Sequence, residues 1–417
     1  MKKNLTNKYE TYYGLPNDVI FCKKCIISNQ RPSSTVEFLH SQKEKKEVIE
    51  FNDDGICSAC EYHDLKQKID WEKREKELFK LCDEIKKNKT DPMQYDCVVP
   101  GSGGKDSAFA AHILKYKYGL NPLTVTWAPH LYTDIGWQNF QNWIHVGGFD
   151  NLLFTPNGKL HRFLTRKAFI NLLHPFQPFI IGQRIIGPLI AKQFNIQVVF
   201  YGENQAEYGN KISENKKELM DEKFFSSIKN IKKFLIGGET VENLIKETQF
   251  TIEDFKPYMP LETDFIKKNK IKVHYLGYYE KWDPQEVFYY ASENTGFEPS
   301  PERTEGTYGR YSSIDDKIDM FHYYTTLIKF GLGRASYDAA QEVRNEKIDR
   351  NEAVNLVKLY DEEFPKKYFK EFLEYVSLNE TEFHNIIDKF RSPHLWGKDD
   401  NGNWKLRHTS SKNGLDD

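Results

Sequence analysis

Tyr95-Asp96-Cys97-Val98-Val99 runs directly into Pro100-Gly101-Ser102-Gly103-Gly104-Lys105-Asp106-Ser107, and this stretch decides the fold of the 417-residue chain. A short apolar strand breaks into a glycine-rich turn, and Ser107 to Tyr118 then reads as a helix. The first N–H groups of a helix have no partner within it, and together with the helix dipole they attract an anion. Glycines at 101, 103 and 104 permit positive φ and let the backbone approach a phosphate closely. Ser102 and Ser107 add hydroxyl donors and Lys105 adds a cation. Asp106 has three open readings: a metal contact, a loop organiser, or a cap on the helix. The spacing is neither that of a Walker A loop nor that of a dinucleotide fingerprint, which excludes both.

Working outward, apolar strands alternate with helices. Leu123 to Trp127, Asn151 to Phe154, Val198 to Tyr201 and Ile271 to Leu276 read as strands, and Ile185 to Phe194 as a helix. Continuous apolar strands separated by helices predict an α/β fold with a parallel sheet covered on both faces. Ligands in such sheets bind beyond the carboxyl ends of the strands. The glycine loop, Thr126-Trp127 and Gly202-Glu203-Asn204 all follow strands, so they are expected to meet at one crevice. Tyr208 to Asp264 is polar, lysine-rich and weakly periodic, and reads as an insertion or mobile flap. From Pro284 the pattern is helical, with capping-box starts at Asp349-x-x-Glu352 and Asn379-x-x-Glu382 and a hairpin turn at Asn401-Gly402.

Four of the six cysteines form two pairs, Cys22-x-x-Cys25 and Cys57-x-x-Cys60. In a chain whose first twenty residues are polar and lack an apolar h-region, such pairs read as thiolate ligands of a structural zinc. An iron–sulfur cluster is the alternative reading of four cysteines. Val36 to Leu39 and Val48 to Phe51 flank a Lys/Glu-rich turn and predict a β-hairpin between the knuckles. Cys82 and Cys97 are unpaired, and Cys97 reads as a small buried hydrophobe. The 59 basic and 61 acidic residues leave a net charge of −2, which gives no global drive toward nucleic acid. No apolar run approaches the ~18 residues of a membrane span. A cytoplasmic globular protein is expected.

The Ser-Gly-Gly-x-Asp-Ser string resembles the pyrophosphate loop (PP-loop) of the ATP pyrophosphatase superfamily, whose fold is the adenine nucleotide alpha hydrolase-like sheet. Taken with Phe21 to Cys25, Gly55 to Cys60, His174 to Phe179, Tyr201 to Asn204, Leu276 to Tyr279, Ser312 to Lys317 and Ile328 to Arg334, the chain resembles the N-acetyl sugar amidotransferases of bacterial surface-glycan pathways. These include the pseudaminic acid, legionaminic acid and O-antigen enzymes. The resemblance implies a zinc ribbon over residues 1–63, a helical linker over 64–92, a PP-loop domain over 93–283 with its insertion near 208–264, and a mainly helical region over 284–417. It implies ATP and Mg2+ as well as structural Zn2+. It also implies conversion of an acetamido to an acetamidino group on a sugar or nucleotide sugar, with release of AMP and pyrophosphate. Ammonia would come from a separate glutaminase resembling that of imidazole glycerol phosphate synthase, with a companion resembling that enzyme's cyclase subunit. The chain has no Gly-x-Cys-x-Gly elbow with which to hydrolyse glutamine itself.

On this reading Gly101, Ser102, Gly103, Gly104, Lys105, Asp106, Ser107, Thr126, Trp127 and Gly202 bind the nucleotide, and Asp106 is a candidate magnesium ligand. Lys105, Asp106, Glu203, Lys329 and Arg334 are the catalytic candidates. Glu203 reads equally as a magnesium ligand, an ammonia-orienting group or a loop carboxylate bonded to backbone amides. Lys329 and Arg334 bracket Phe330-Gly331-Leu332-Gly333 and, with Arg303 and Arg310, read either as groups that neutralise phosphates or a sugar carboxylate or as solvated or structural cations. Asp315, Asp316 and Asp319 read as the solvated face of a helix start, with a metal cluster as the other reading. His174 reads as structural or pocket-lining. Two other functions fit parts of the pattern: a tRNA sulfur transferase with a PP-loop, and a non-catalytic zinc-ribbon protein that binds nucleotide.

Overall fold

The computed structural model describes residues 9–40, 42–89, 91–202, 210–215, 217–225 and 230–413. Helices α1 (Ser58–Lys66) and α2 (Trp71–Lys87) lead into β1 (Cys97–Pro100), α3 (Lys105–Tyr116), β2 (Pro122–Trp127), α4 (Asp134–His145) and β3 (Asp150–Phe154). Then come α5 (Gly158–Leu172), α6 (Gln177–Gln193) and β4 (Val198–Tyr201). The insertion carries β5 (Leu235–Ile236), β6 (Glu239–Thr240), α7 (Val241–Glu247) and α8 (Thr263–Asn269) before β7 (Lys272–Tyr275). The remainder comprises α9 (Pro284–Thr295), α10 (Asp319–Phe330), α11 (Arg334–Arg344), α12 (Arg350–Tyr360), α13 (Phe369–Val376), α14 (Glu380–Asp388) and a C-terminal hairpin of β8 (Trp396–Lys398) and β9 (Trp404–Leu406).

The expected parallel sheet is present, in the order β3-β2-β1-β4-β7, with every pairing parallel. The chain builds outward from β1 to β3, then returns through α5 and α6 to place β4 on the other side of β1. That reversal opens a crevice at the carboxyl end of β1. Alternation along β1 feeds two cores: Val98 joins the one containing Ile185 and Ile186 of α6, while Cys97 and Val99 join the one containing Ala108 and Ala111 of α3. Helix α6 lies close against the sheet because a Cβ at Gly187 would stand 2.6 Å from Pro100 Cγ. Pro188 inside α6 cannot donate to the Arg184 carbonyl, and the Tyr201 hydroxyl donates to that oxygen instead, at 2.8 Å.

Three expectations change. Residues 36–39 and 48–51 do not pair as a hairpin; the bridges here join Pro32 to Val48 and Phe51 to Cys57. The chain around Glu37 is instead drawn toward the C-terminal part, because Glu37 pairs with Lys329 at 2.9 Å. The described part of the insertion is packed, not loose: Phe225, Phe234, Ile236, Val241, Leu244 and Phe255 are all buried. Its polar composition hides these anchors. Helix α9 packs on α3, so the segment beginning at Pro284 starts inside the α/β layer. The capping boxes at Asp349 and Asn379 and the turn at Gly402 form as expected. Among the described residues no helix is long and apolar enough to cross a membrane.

Candidate active site

The loop begins where β1 ends. The Gly101 N–H continues the sheet pattern by donating to the Val125 carbonyl at 2.9 Å. A side chain at Gly101 would collide with Ser107 Cβ at 2.1 Å. Gly103 adopts φ +83° with the Asn139 carbonyl 2.8 Å from where a Cβ would be, so only glycine fits. Helix α3 starts two residues before the sequence suggests, with Gly104 as its N-cap. The Ser107 hydroxyl donates to the Gly104 carbonyl at 3.0 Å, which organises the turn. Lys105 Nζ donates to both oxygens of Asp106, at 2.8 and 2.7 Å, and Trp282 Nε1 donates to Asp106 Oδ1 at 2.9 Å. Gly202 backs this pair, with its Cβ position 3.5 Å from the Asp106 carbonyl.

Ser102, Gly104, Lys105 and Asp106 line a cavity of about 840 Å³. Its opposite wall comes from the C-terminal part: Ser313, Asp315, Asp319, His322, Tyr323, Lys329 and Arg334. A third side is formed by Arg31, Thr35, Glu37 and neighbouring residues of the ribbon segment. Arg303 and Arg310 are directed elsewhere, to Glu363 and to the Pro301 carbonyl.

The acidic triplet is not a solvated helix face. Asp316 is buried and accepts from the backbone N–H and Nδ1 of His130, both at 2.7 Å. Asp315 lines the cavity with Ser102 of the loop, and burial raises its pKa against the pull of the Ser102 hydroxyl. Asp319 opens α10 and is 7% exposed. Burial pushes its carboxyl up to about 7, against the pull of Arg334 and a hydrogen bond from Ser313. Arg334 donates from Nε to Asp338 at 3.0 Å and from Nη1 to Ser313 at 2.9 Å, and lies over the Tyr323 ring. Both Lys329 and Arg334 are therefore buried and paired, not solvated. Lys329 spends its donors on Glu37 and on the Leu172 carbonyl at 2.7 Å, so it clamps the ribbon segment to α10. Burial opposes the charge on Glu37, but Lys329 and His40 hold its carboxyl well below the usual range.

Beyond the clamp, His174 and His322 stack at 4.8 Å and Phe176 covers His322 at 5.4 Å. The Nδ1 atom of each histidine is buried without a hydrogen-bond partner. Burial pushes His174 down to about 3 and His322 well below its ordinary value, so both rings are neutral at pH 7. His174 thus lines the cavity, as its sequence position suggests.

Thr126 and Trp127 do not reach the cavity. Thr126 is fully buried and receives a hydrogen bond from Asn151, and Trp127 packs among Phe154, His161 and Tyr258 beneath Gly182. The strand period turns Trp127 into the core. Glu203 and Asn204 lie outside the described residues.

The four knuckle cysteines converge, with their Sγ atoms all within 4.8 Å of one another. Cys22 and Cys60 are 3.8 Å apart, and Cys25 and Cys57 3.7 Å. A tetrahedron with bonds of about 2.3 Å has edges of about 3.8 Å, so the set fits a four-thiolate metal centre. The N–H groups of Ile27 and Cys57 donate to Cys25 and Cys22 sulfur at 3.4 Å. Cys82 and Cys97 are buried, and burial pushes the Cys82 thiol up to about 12.

The parallel sheet in this order, with a Ser-Gly-Gly-Lys-Asp-Ser loop at the tip of its central strand, has the fold expected of a PP-loop ATP pyrophosphatase core. Residues 305–410 match the family model described as LPS biosynthesis protein WbpG-like, C-terminal domain. An uncharacterised protein of Methanocaldococcus jannaschii, MJ1599, is 38% identical over 87 residues, which are 21% of this chain and 30% of that protein's length. Similar solved structures include an NH3-dependent NAD synthetase from Campylobacter jejuni, in complex with nitrate, at TM-score 0.27 and 19% identity. It covers 34% of this chain and 59% of its own. An NMN synthetase from Francisella tularensis gives TM-score 0.33 and 13% identity, covering 75% of this chain and 98% of its own.

Proposed function

We propose that the chain is an ATP-dependent amidotransferase that converts an N-acetyl group of a bacterial surface-glycan sugar into an acetamidino group. The observation that carries this reading is the shared cavity: the anion loop and the WbpG-like segment face one chamber, lined by Ser102 of the loop and by Asp315 of that segment. An amide oxygen is a poor leaving group, so it must be activated. The acetamido oxygen attacks the α-phosphorus of ATP, a P–O bond forms, and pyrophosphate leaves toward the first-turn amides of α3, Ser102 and Lys105. The amide N–H proton passes to Asp319, giving an O-adenylyl imidate. Ammonia attacks its carbon, Asp319 returns the proton, and the C–O bond breaks to release AMP. A carboxyl with a pKa near 7 suits this exchange at neutral pH.

The Asp106 oxygens already accept from Lys105 and Trp282, so Asp106 acts in this scheme as loop organiser. Magnesium would enter as the counter-ion of the ATP phosphates and supply charge neutralisation there. Arg334 holds Asp338 and Ser313 in place, and its charge acts on Asp319 through space. The neutral His174–His322 pair and Phe176 offer the sugar polar edges and an apolar floor. Cys22, Cys25, Cys57 and Cys60 would hold a zinc ion that fixes the ribbon segment lining the chamber. With Cys82 and Cys97 buried, ammonia comes from a separate glutaminase. The same burial disfavours a sulfur transferase, which needs an accessible thiolate. The test is incubation of the purified chain with ATP, magnesium, ammonium and a panel of N-acetylated sugars and nucleotide sugars. AMP and pyrophosphate should appear only with an accepted sugar; stoichiometric ADP would overturn the reading.

A further inference from the structure

Lys66 is 1% exposed at the end of α1, the helix whose N-cap is Cys57 and whose first turn holds Cys60. A buried ammonium costs several kcal/mol unless it is bonded, and a methionine would fill the same space. Lys66 Nζ donates to the Trp282 carbonyl at 2.9 Å. The Trp282 side chain, itself 3% exposed, donates from Nε1 to Asp106 Oδ1 at 2.9 Å, and Asp106 holds Lys105. The Lys105 ammonium also sits 5.4 Å from the Trp282 ring centroid. An unbroken series of contacts therefore runs from the second cysteine knuckle, along a rod about 13 Å long, to the cation of the anion loop.

We propose that α1 is a strut that positions the anion loop, with Lys66 and Trp282 as positioning residues. Lys66 fixes the main chain at Trp282, the indole N–H pins Asp106, and Asp106 aims Lys105 into the chamber. The ribbon then does more than stabilise the fold: it sets the loop geometry on which the leaving pyrophosphate depends. This inference rests on the reading of the loop as the pyrophosphate site.

The probe is inorganic pyrophosphate, titrated calorimetrically into the full-length protein. Trp282→Phe keeps the ring and removes the donor; Lys66→Met keeps the volume and removes the charge. Each should weaken pyrophosphate binding about tenfold, since small misplacements at such sites have large effects. In an Asp106→Ala background, Trp282→Phe should change binding by less than about twofold, because the pinned group is gone. With an accepted sugar, Trp282→Phe should lower kcat for AMP release about tenfold or more and leave KM for ATP within about twofold. If either variant has a lowered melting temperature but wild-type pyrophosphate affinity, its residue is merely structural and the inference fails. Equal effects of Trp282→Phe with and without Asp106 would also overturn it. Failure of the underlying reading looks different: the wild-type protein itself would then not bind pyrophosphate.

Discussion

Replacing Asp319 with Asn tests the chemistry and the electrostatics together. In the folded protein the Asp319 carboxyl titrates at about 7 against an ordinary value of 3.8. The cause is burial; Arg334 and Ser313 offset part of it, and Asp315 and Asp316 add to it. A raised carboxyl pKa means the folded state binds the proton more tightly. This group's contribution is thus fully present below about pH 4 and is lost as pH rises through 7. A shift of about 3 units at about 1.4 kcal/mol each gives a penalty on the order of 4 kcal/mol at pH 8. Asn cannot ionise and escapes it. For 417 residues the unfolding entropy is about 0.9 kcal/mol/K, so Asp319→Asn should melt about 5 °C higher at pH 8 and at the wild-type temperature near pH 4. Activity should move the other way. AMP release by the wild type at saturating ammonia should rise with pH through about 7, and the variant should lose that limb and be about 100-fold slower at pH 8. Paired melts and pH–rate profiles make the measurement. An unchanged melting temperature at pH 8, or an intact limb in the variant, would refute the reasoning.

Ser102→Ala and Asp106→Ala should each abolish AMP formation while the melting temperature stays within a few degrees of wild type, because both residues belong to the anion loop and not to the core. Changing Cys60 to Ser should lower soluble yield and remove the one zinc per chain that metal analysis should find in the wild type. Glu37→Gln strands the buried Lys329 ammonium and should cost about 3 kcal/mol in denaturant titrations, part of which Lys329→Met in the same chain should restore.

The sheet and the loop were legible because their information is local. Val98-Val99 and Val198-Val199 fit only buried strands, and Gly101 and Gly103 stand where no side chain fits. The knuckle cysteines carry their geometry in their spacing. What escaped was set by contacts distant in sequence. Ser312-Ser313-Ile314-Asp315-Asp316 reads as a polar helix entry, and nothing local says that Asp315 will be pressed against Gly136, with a Cβ there 2.4 Å from its Cα. Glu37 looked like part of a hairpin because its partner, Lys329, lies almost 300 residues away. Trp127 was drawn to the crevice by its place at a strand end, although the pleat points it under Gly182. Trp282 sends no sequence signal at all; only the fold brings its indole to Asp106.

The most direct test of the central claim follows the amide oxygen. A sugar accepted by the purified chain would be prepared with heavy oxygen in its acetamido group and incubated with ATP, magnesium and ammonium. Direct attack of that oxygen on the α-phosphorus predicts that the label leaves in AMP, with unlabelled pyrophosphate and an amidine product. Unlabelled AMP, or label retained in the sugar, would contradict adenylylation of the amide and with it the proposed reaction.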